Sequence, residues 1–90
     1  MDIEWDEEKR QQILMDRGVD LLWAALIFEG STLTKQDTRH DYGEQRFVSL
    51  GLVDDVPYIV IYTWRGETMR LITAWKGGQR DYERYKERIP

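Results

Sequence analysis

Cysteine is absent from this chain of 90 residues, histidine occurs once and proline twice. Without cysteine the chain forms no disulfides and offers no thiolate ligands to a metal, a composition common in the reducing cytoplasm. Its longest apolar run, residues 21–28, falls well short of the roughly 20 residues that a membrane-spanning helix needs. The first nine residues are acidic and lack the basic start of a signal peptide. We therefore expect a cytoplasmic protein with no membrane partner, built as a single domain over residues 1–90.

The charges are unevenly distributed along the chain. The net charge is -4, but residues 1–44 hold 5 Lys and Arg against 11 Asp and Glu, whereas residues 45–90 hold 8 against 6. An acidic chain that still collects cations in one part offers that part to an anionic ligand such as RNA. Its acidic part suits a basic partner protein. The simpler interpretation is that most of these charges only keep a small domain soluble.

Two helices are predicted before residue 31. Asp6 is a suitable N-cap for the first helix, and Gly18 is a natural C-terminal stop. Asp20 caps a second helix over residues 21–28, which ends at Gly30. Because this second segment is apolar almost all round, we expect it to be the central buried helix.

From residue 32 the apolar residues follow a period of two, which predicts β-strands. The predicted strands cover residues 32–37, 46–53, 58–64 and 68–75, and a last helix covers residues 79–88. The first strand is short and polar, as edge strands are, and the third is rich in aromatic and β-branched residues and should be central. Turns are predicted at Asp54 and Asp55 and at residues 65–67. This order predicts an α+β fold with two N-terminal helices, a four-stranded, mainly antiparallel meander and a C-terminal helix.

Basic side chains recur at the ends of the predicted strands. Alternation along the last strand places one set on a shared face: Arg70, Ile72, Ala74 and Lys76. The other face takes Met69, Leu71, Thr73 and Trp75. Arg46 opens the second strand, so guanidinium groups from two strands could grip one phosphate, whose oxygens match their fork. Each arginine could equally pair with a nearby carboxylate such as Glu44 or Glu67.

Two groups near Arg46 are able to move a proton. His40 is the only histidine and lies in a polar loop just before the second predicted strand, and imidazole is the readiest general acid or base near neutral pH. Glu44 is the alternative proton acceptor, and it could instead orient Arg46. A lone histidine among scattered carboxylates lacks metal-ligand spacing, so no metal or other cofactor is expected.

This combination suits metal-independent cleavage of RNA. The substrate's own 2′-hydroxyl is then the nucleophile, and the protein supplies a proton acceptor, a proton donor and positive charge near the phosphorane. DNA, which lacks that hydroxyl, would be spared.

The last predicted helix carries arginines at every fourth position. Arg80, Arg84 and Arg88 therefore form one stripe, which could extend a phosphate path from Lys76. This would instead be an ordinary solvated helix if Arg80 paired with Glu83 and Arg84 paired with Glu87, both at i,i+3 spacing.

Several short motifs occur together in the order and spacing of a known family. They are Trp5-Asp-x-x-Lys9, Arg17-Gly18-Val19, Asp37-Thr-Arg39, Tyr42-Gly-Glu-x-Arg46, Gly51, Arg70-Leu-Ile-Thr-Ala74 and Lys76. With them the chain resembles the BrnT family of toxins from type II toxin–antitoxin systems over nearly its whole length. The resemblance implies a RelE-like ribonuclease fold, RNA cleavage that blocks translation, and neutralisation by a ribbon-helix-helix antitoxin, BrnA. It also implies a heterotetramer of two toxins on an antitoxin dimer, which binds and represses promoter DNA through the antitoxin.

The resemblance also implies which residues form the site. The positions that match the family pattern are Lys9, Arg39, His40, Glu44, Arg46, Arg70 and Lys76. We expect Arg46 and Arg70 to hold the phosphate, His40 or Glu44 to carry protons, and Lys9 and Lys76 to stabilise charge. The expected catalytic residues are thus His40, Glu44, Arg46, Arg70 and Lys76. The expected RNA contacts are Lys9, Arg39, Trp75 and Arg80.

Two positions depart from the family pattern. Arg17 stands where the family usually has a histidine before the glycine. The last strand ends Thr73-Ala74-Trp75-Lys76, where the family has Ser-Ala-Arg-Lys. Trp75 replaces a cation and could stack on a base instead. The alternative to an active nuclease is a toxin-like binding module with weakened cleavage, which acts mainly through its antitoxin complex and transcriptional autoregulation.

Overall fold

One mixed β-sheet organises the chain, and the computed structural model describes all 90 residues. In chain order the elements are β1 (Asp2–Glu4), α1 (Glu7–Arg17), α2 (Leu21–Ala24), a 3₁₀ helix (Ala25–Glu29), β2 (Leu33–Asp37), β3 (Arg46–Val53), β4 (Val56–Arg65), β5 (Thr68–Lys76) and α3 (Gln79–Arg88). The five strands lie in the order β1-β5-β4-β3-β2. β1 runs parallel to β5, and all other neighbours are antiparallel. No helix is long and apolar enough to cross a membrane.

The expected α+β architecture is confirmed, but the strand count is wrong because β1 was missed. This strand has only three residues, with Ile3 aligned to Met69 of β5. Three residues are too few to show a periodic pattern. They join the sheet because the first residues of β5 offer an open edge.

The second predicted helix is also wrong in detail. Its α-helical part has four residues, and the chain then tightens into the 3₁₀ helix. Leu21 and Ile27 are buried, but Trp23 is 45% exposed and Leu26 37% exposed. The segment therefore buries one side on the sheet and leaves the other open, because a single layer of helix covers it.

Both helix starts follow the predicted capping chemistry. The Asp6 carboxylate accepts hydrogen bonds from the backbone N–H groups of Glu8 and Lys9, at 3.0 and 3.3 Å. Gly18 ends α1 with a φ of 66°, a left-handed conformation that favours glycine. Asp20 accepts a bond from the Leu22 N–H at 2.9 Å.

A bidentate ion pair holds the first two helices together. The Arg10 guanidinium donates to both carboxylate oxygens of Asp20, each at 2.9 Å. The bonds from Arg10 lower the pKa of Asp20 below its usual range. Asp20 therefore caps α2 and anchors it to α1 with the same carboxylate.

The sheet carries a separate apolar core on each face. The larger core lies under α1, α2 and the 3₁₀ helix and includes Ile13, Leu21, Ile27, Val60, Tyr62, Met69, Leu71 and Ala74. The smaller core lies under α3 and joins Leu50, Ile59 and Tyr85. The two helical layers thus cover opposite faces of one sheet.

A β-bulge in β5 changes which of its side chains share a face. Ile61 of β4 pairs with Thr73, but the next residue, Tyr62, pairs with Leu71, which leaves Ile72 as an extra residue. An extra residue shifts the alternation of every side chain beyond it.

The predicted faces of the last strand are therefore wrong. Met69, Leu71 and Ala74 all lie in the larger core, whereas Trp75 packs against the smaller core. Arg70 lies between Met69 and Leu71, so its side chain points away from the larger core. Arg70 and Trp75 thus share the α3 side of the sheet.

The 3₁₀ helix lies close against β3 at Gly51. A Cβ atom built there would lie 2.7 Å from Cβ of Ile27 and 3.3 Å from Cγ2 of Thr32. Normal carbon contacts need more than 3.4 Å, so only glycine fits without movement of its neighbours.

We expect the Gly51→Ala variant to be destabilised by about 1–3 kcal/mol, the usual cost of overpacking a core. Urea unfolding at equilibrium measures the loss. Gly30→Ala is the matched control, because its nearest neighbour lies 4.0 Å away and its φ of -117° suits alanine. An equal loss of stability in the two variants would contradict the close-approach argument.

Candidate functional site

Two arginines from separate strands lie on the same face of the sheet, with Thr63 between them. Arg70 pairs with Thr63 across β5 and β4. Phe47 pairs with Tyr62 and packs on the larger core. Arg46 precedes Phe47 and Thr63 follows Tyr62, so the side chains of Arg46 and Thr63 point to the opposite, α3 side of the sheet. With strands spaced about 4.8 Å apart, the backbones of the two arginines lie roughly 10 Å from each other.

Thr63 connects β4 to the residue that precedes Arg46. It is 3% exposed, and its hydroxyl donates to the backbone carbonyl of Gln45 at 2.6 Å. This bond fixes the residue immediately before Arg46. This hydrogen bond thus links the start of β3 to β4 at Thr63, which lies between the two arginines.

Each of these arginines already has a carboxylate partner near the surface. Nε of Arg46 lies 3.2 Å from Oε2 of Glu44, and NH1 of Arg70 lies 3.7 Å from Oε2 of Glu4. The arginine side chains are 26% and 28% exposed. Such half-exposed pairs contribute little stability, so a phosphate can displace the carboxylates at small cost.

Asp37 organises the loop that follows β2. It is 5% exposed, and it accepts bonds from Nε and NH2 of Arg39 at 2.8 and 2.9 Å. The hydroxyl of Tyr42 donates to the same carboxylate at 3.2 Å. The Arg39 guanidinium, helped by these other donors, holds the pKa of Asp37 far below its usual range against the opposing effect of burial.

Tyr42 connects this carboxylate to the arginine face. The Arg46 guanidinium carbon lies 4.0 Å from the centre of the Tyr42 ring, a cation–π contact. The His40 ring meets the same ring edge-on at a centroid distance of 5.6 Å. Sequence reasoning missed Tyr42 as a site residue. Its only signal was its place in the motif Tyr42-Gly-Glu-x-Arg46, and spacing alone does not reveal stacking.

We call the residues joined by these contacts the loop cluster: Asp37, Arg39, His40, Tyr42, Glu44 and Arg46. Four of them are expected site residues that the structure brings together, namely Arg39, His40, Glu44 and Arg46. Arg70 completes the arrangement from β5. The cluster offers cations and two proton carriers beside one open sheet face.

Three expected site residues lie elsewhere. Lys76 ends β5, six residues beyond Arg70, which places their backbones about 20 Å apart along the strand. Arg80 is in the first turn of α3 at that same distant end. Lys9 is in the first turn of α1, over the opposite face of the sheet. The expectation that Lys76 shares a surface with Arg46 and Arg70 is therefore wrong.

The two departures from the family pattern meet in space. Arg17 donates to Oγ1 of Thr73 at 2.8 Å and to the backbone carbonyl of Ala74 at 3.0 Å. Its guanidinium carbon lies 5.8 Å from the centre of the Trp75 ring. Arg17 thus covers the part of β5 that the short β1 leaves unpaired. No group of three or more His, Asp or Glu side chains is placed to hold a metal ion.

We expect the Asp37→Asn variant to be less stable than the parent by about 1.5–3 kcal/mol at pH 7, because it loses charged hydrogen bonds. The folded-state pKa of Asp37 is lowered, so its stabilisation is present at neutral pH and is lost as the pH falls through that folded pKa. The difference in unfolding free energy between variant and parent should start to decrease below about pH 3.9, where an unfolded aspartate takes up its proton. Urea midpoints across this range measure it, with Asp16→Asn as an exposed control. A stability difference that does not change with pH would contradict the conclusion that the ionised Asp37 carboxylate stabilises the fold.

One protein family has a sequence model that matches residues 5–81 of the chain, and its description is the ribonuclease toxin BrnT of a type II toxin–antitoxin system. Comparison with curated proteins gave no match. The matched residues cover most of the chain and include the loop cluster and Arg70. Membership of a type II system implies an antitoxin partner. The chain therefore belongs to the BrnT family of ribonuclease toxins of type II toxin–antitoxin systems.

Proposed function

We propose that the whole chain acts as one toxin domain that cleaves RNA without a metal ion, on the sheet face between Arg46 and Arg70. The single observation that carries the proposal is the placement of these two arginines on the same face of separate strands, flanking Thr63. Two guanidinium groups roughly 10 Å apart at the backbone are able to reach one phosphate with their long side chains.

In the proposed reaction the substrate supplies its own nucleophile. The phosphate takes the place of Glu44 on Arg46 and of Glu4 on Arg70, which leaves the Glu44 carboxylate free. Glu44 then accepts the proton of the 2′-hydroxyl as its oxygen attacks phosphorus, and His40 donates a proton to the departing 5′-oxygen. The products are a 2′,3′-cyclic phosphate and a free 5′-hydroxyl, and the arginines stabilise the charge of the phosphorane.

The proposed biological role follows from the family. Cleavage of RNA in the cytoplasm would block translation, and a BrnA-like ribbon-helix-helix antitoxin would neutralise the toxin. We propose a heterotetramer of two toxins on an antitoxin dimer, with promoter DNA contacted only through the antitoxin, and a RelE-like fold for the toxin. The excess of acidic residues over residues 1–44 supports a basic partner surface.

A second candidate function is a binding module with weakened cleavage. It is favoured by the carboxylate partners that Arg46 and Arg70 already carry, and by Trp75 at a position where the family has a cation. In that case the chain would act mainly through its antitoxin complex and autoregulation of transcription.

We expect the purified chain to cleave RNA in the presence of EDTA and to leave DNA intact. Arg46→Ala and Arg70→Ala should each lower the rate about 10²-fold or more, the usual loss when one donor to a transition-state charge is removed. Cleavage of a labelled RNA on a denaturing gel measures the rate. Lys86→Ala is the control, because Lys86 pairs with Asp55 at the opposite end of β3.

The outcomes separate the two candidates. RNA cleavage and growth arrest that both depend on Arg46 and Arg70 support the nuclease. A folded protein that binds its antitoxin but turns over no RNA is the result expected of the binding module. An unchanged cleavage rate in both arginine variants would contradict the assignment of the site to Arg46 and Arg70.

The proposed proton transfers predict a bell-shaped dependence of the cleavage rate on pH. The acidic limb arises because the proton acceptor must be unprotonated, and the upper limb arises because the proton donor must carry its proton. His40→Gln should remove the upper limb, and Glu44→Gln should remove the acidic limb. Single-turnover rates between pH 4 and pH 9 provide the measurement. An upper limb that persists in His40→Gln would assign the acid to another group.

A further inference from the structure

A groove of about 450 Å³ opens on the α3 side of the sheet, between β2 and α3. Its floor is apolar and includes Val48, Leu50, Ile59 and Trp75. A volume of this size lies in the range of pockets that hold small ligands or single nucleotides. The floor is therefore large enough for one nucleobase.

The rim of the groove is cationic in a chain that is acidic overall. Four basic residues line it: Lys35, Arg39, Arg84 and Arg88. Its only carboxylate, Asp37, is already neutralised by Arg39. Arg84 is 55% exposed and has one long bond of 3.3 Å to Asp81, and Arg88 has no ion-pair partner. The groove is thus complementary to an anion.

Trp75 supplies an aromatic surface inside this cationic rim. Its ring packs partly against the smaller core while still lining the groove. Every buried side-chain nitrogen and oxygen in the structure has a hydrogen-bond partner. The Trp75 indole N–H makes no hydrogen bond, so it is open to solvent and free to donate. An aromatic ring beside several cations is the arrangement that binds unpaired nucleic-acid bases.

The groove begins at the proposed cleavage site. Asp37 lines the groove and pairs directly across β2 and β3 with Arg46. Val48, which lies on the floor, follows Arg46 by two residues on the same face of β3, a distance of about 7 Å. A strand of RNA held at Arg46 therefore has a continuous path into the groove.

We infer that the groove binds the nucleotide next to the scissile phosphate of single-stranded RNA. Its base lies against Trp75, and Arg84 and Arg88 hold its phosphate. This inference rests on the proposed function, since it extends the same RNA path beyond Arg46. It makes the toxin prefer unpaired RNA, because a base within a duplex has no face free to meet Trp75.

The test measures binding, independently of cleavage. The probe is a fluorescent 2′-O-methyl RNA hexanucleotide, which lacks the attacking hydroxyl, and anisotropy gives its Kd for the purified chain. Trp75→Ala should weaken binding about 5- to 150-fold, and Trp75→Phe should restore most of the affinity. Trp23→Ala is the matched control, because Trp23 is exposed in α2 on the opposite side of the sheet.

A second pair of variants tests the rim without touching the core. Arg88→Ala should lower the slope of log Kd against log salt by about 0.7, the value for one phosphate contact with a single strand. Lys86→Ala, two residues away on the same helix, should leave that slope unchanged. These surface variants keep the test decisive if Trp75→Ala fails to fold.

Unchanged affinity in Trp75→Ala and an unchanged salt slope in Arg88→Ala, beside intact Arg70-dependent cleavage, would overturn the groove inference and leave the nuclease proposal in place. Loss of groove-dependent binding in these variants, with no cleavage by the parent, would support the groove and remove the nuclease. Binding of an Asp- and Glu-rich peptide that is lost in Arg88→Ala, together with no affinity of the parent for the RNA probe, would make the occupant a protein segment and overturn the inference.

Discussion

The bulge in β5 is the constraint that places the proposed cleavage site and the groove on the same face of the sheet. Without an extra residue, strict alternation would place Arg70 and Trp75 on opposite faces of the sheet. Because Ile72 has no partner on β4, the alternation shifts, and both side chains point to the α3 side. One backbone irregularity thereby places Arg70, the proposed phosphate ligand, and the groove lined by Trp75 on one surface. Bulges often occur next to functional sites for this reason.

The loop cluster shows how an acidic chain holds arginine side chains in fixed positions. Asp37 is buried and neutralised, so its charge holds Arg39 and Tyr42 in place and does not repel a phosphate. The Tyr42 ring then supports Arg46 from below through a cation–π contact. Because these contacts already hold the side chains in place, less side-chain conformational entropy is lost when an anion binds. Residues 1–44, which hold most of the acidic residues, contribute Asp37 and Glu44 to the cluster itself.

The carboxylate partners of the two arginines fit a resting state of such a site. Glu44 and Glu4 keep the guanidinium groups paired while no phosphate is present. Both pairs are half-exposed, so exchange of a carboxylate for a phosphate replaces one surface ion pair by another of greater charge. In the proposed reaction the same exchange releases Glu44 beside the phosphate, where a proton acceptor is needed. Arg17 and Trp75, the two departures from the family pattern, meet at the far edge of this face.

The sequence alone determined the local structure and the types of charge that the chain presents. The caps at Asp6, Gly18 and Asp20, the strand Arg46–Val53 and the helix Gln79–Arg88 all follow from residue chemistry and periodicity, which act over a few neighbours. Only the tertiary structure decided which residues meet. The pairing of β1, the bulge at Ile72, the distance of Lys76 from Arg70 and the place of Tyr42 beneath Arg46 depend on register between strands. That register is set by contacts between residues far apart in the chain, which no local pattern contains.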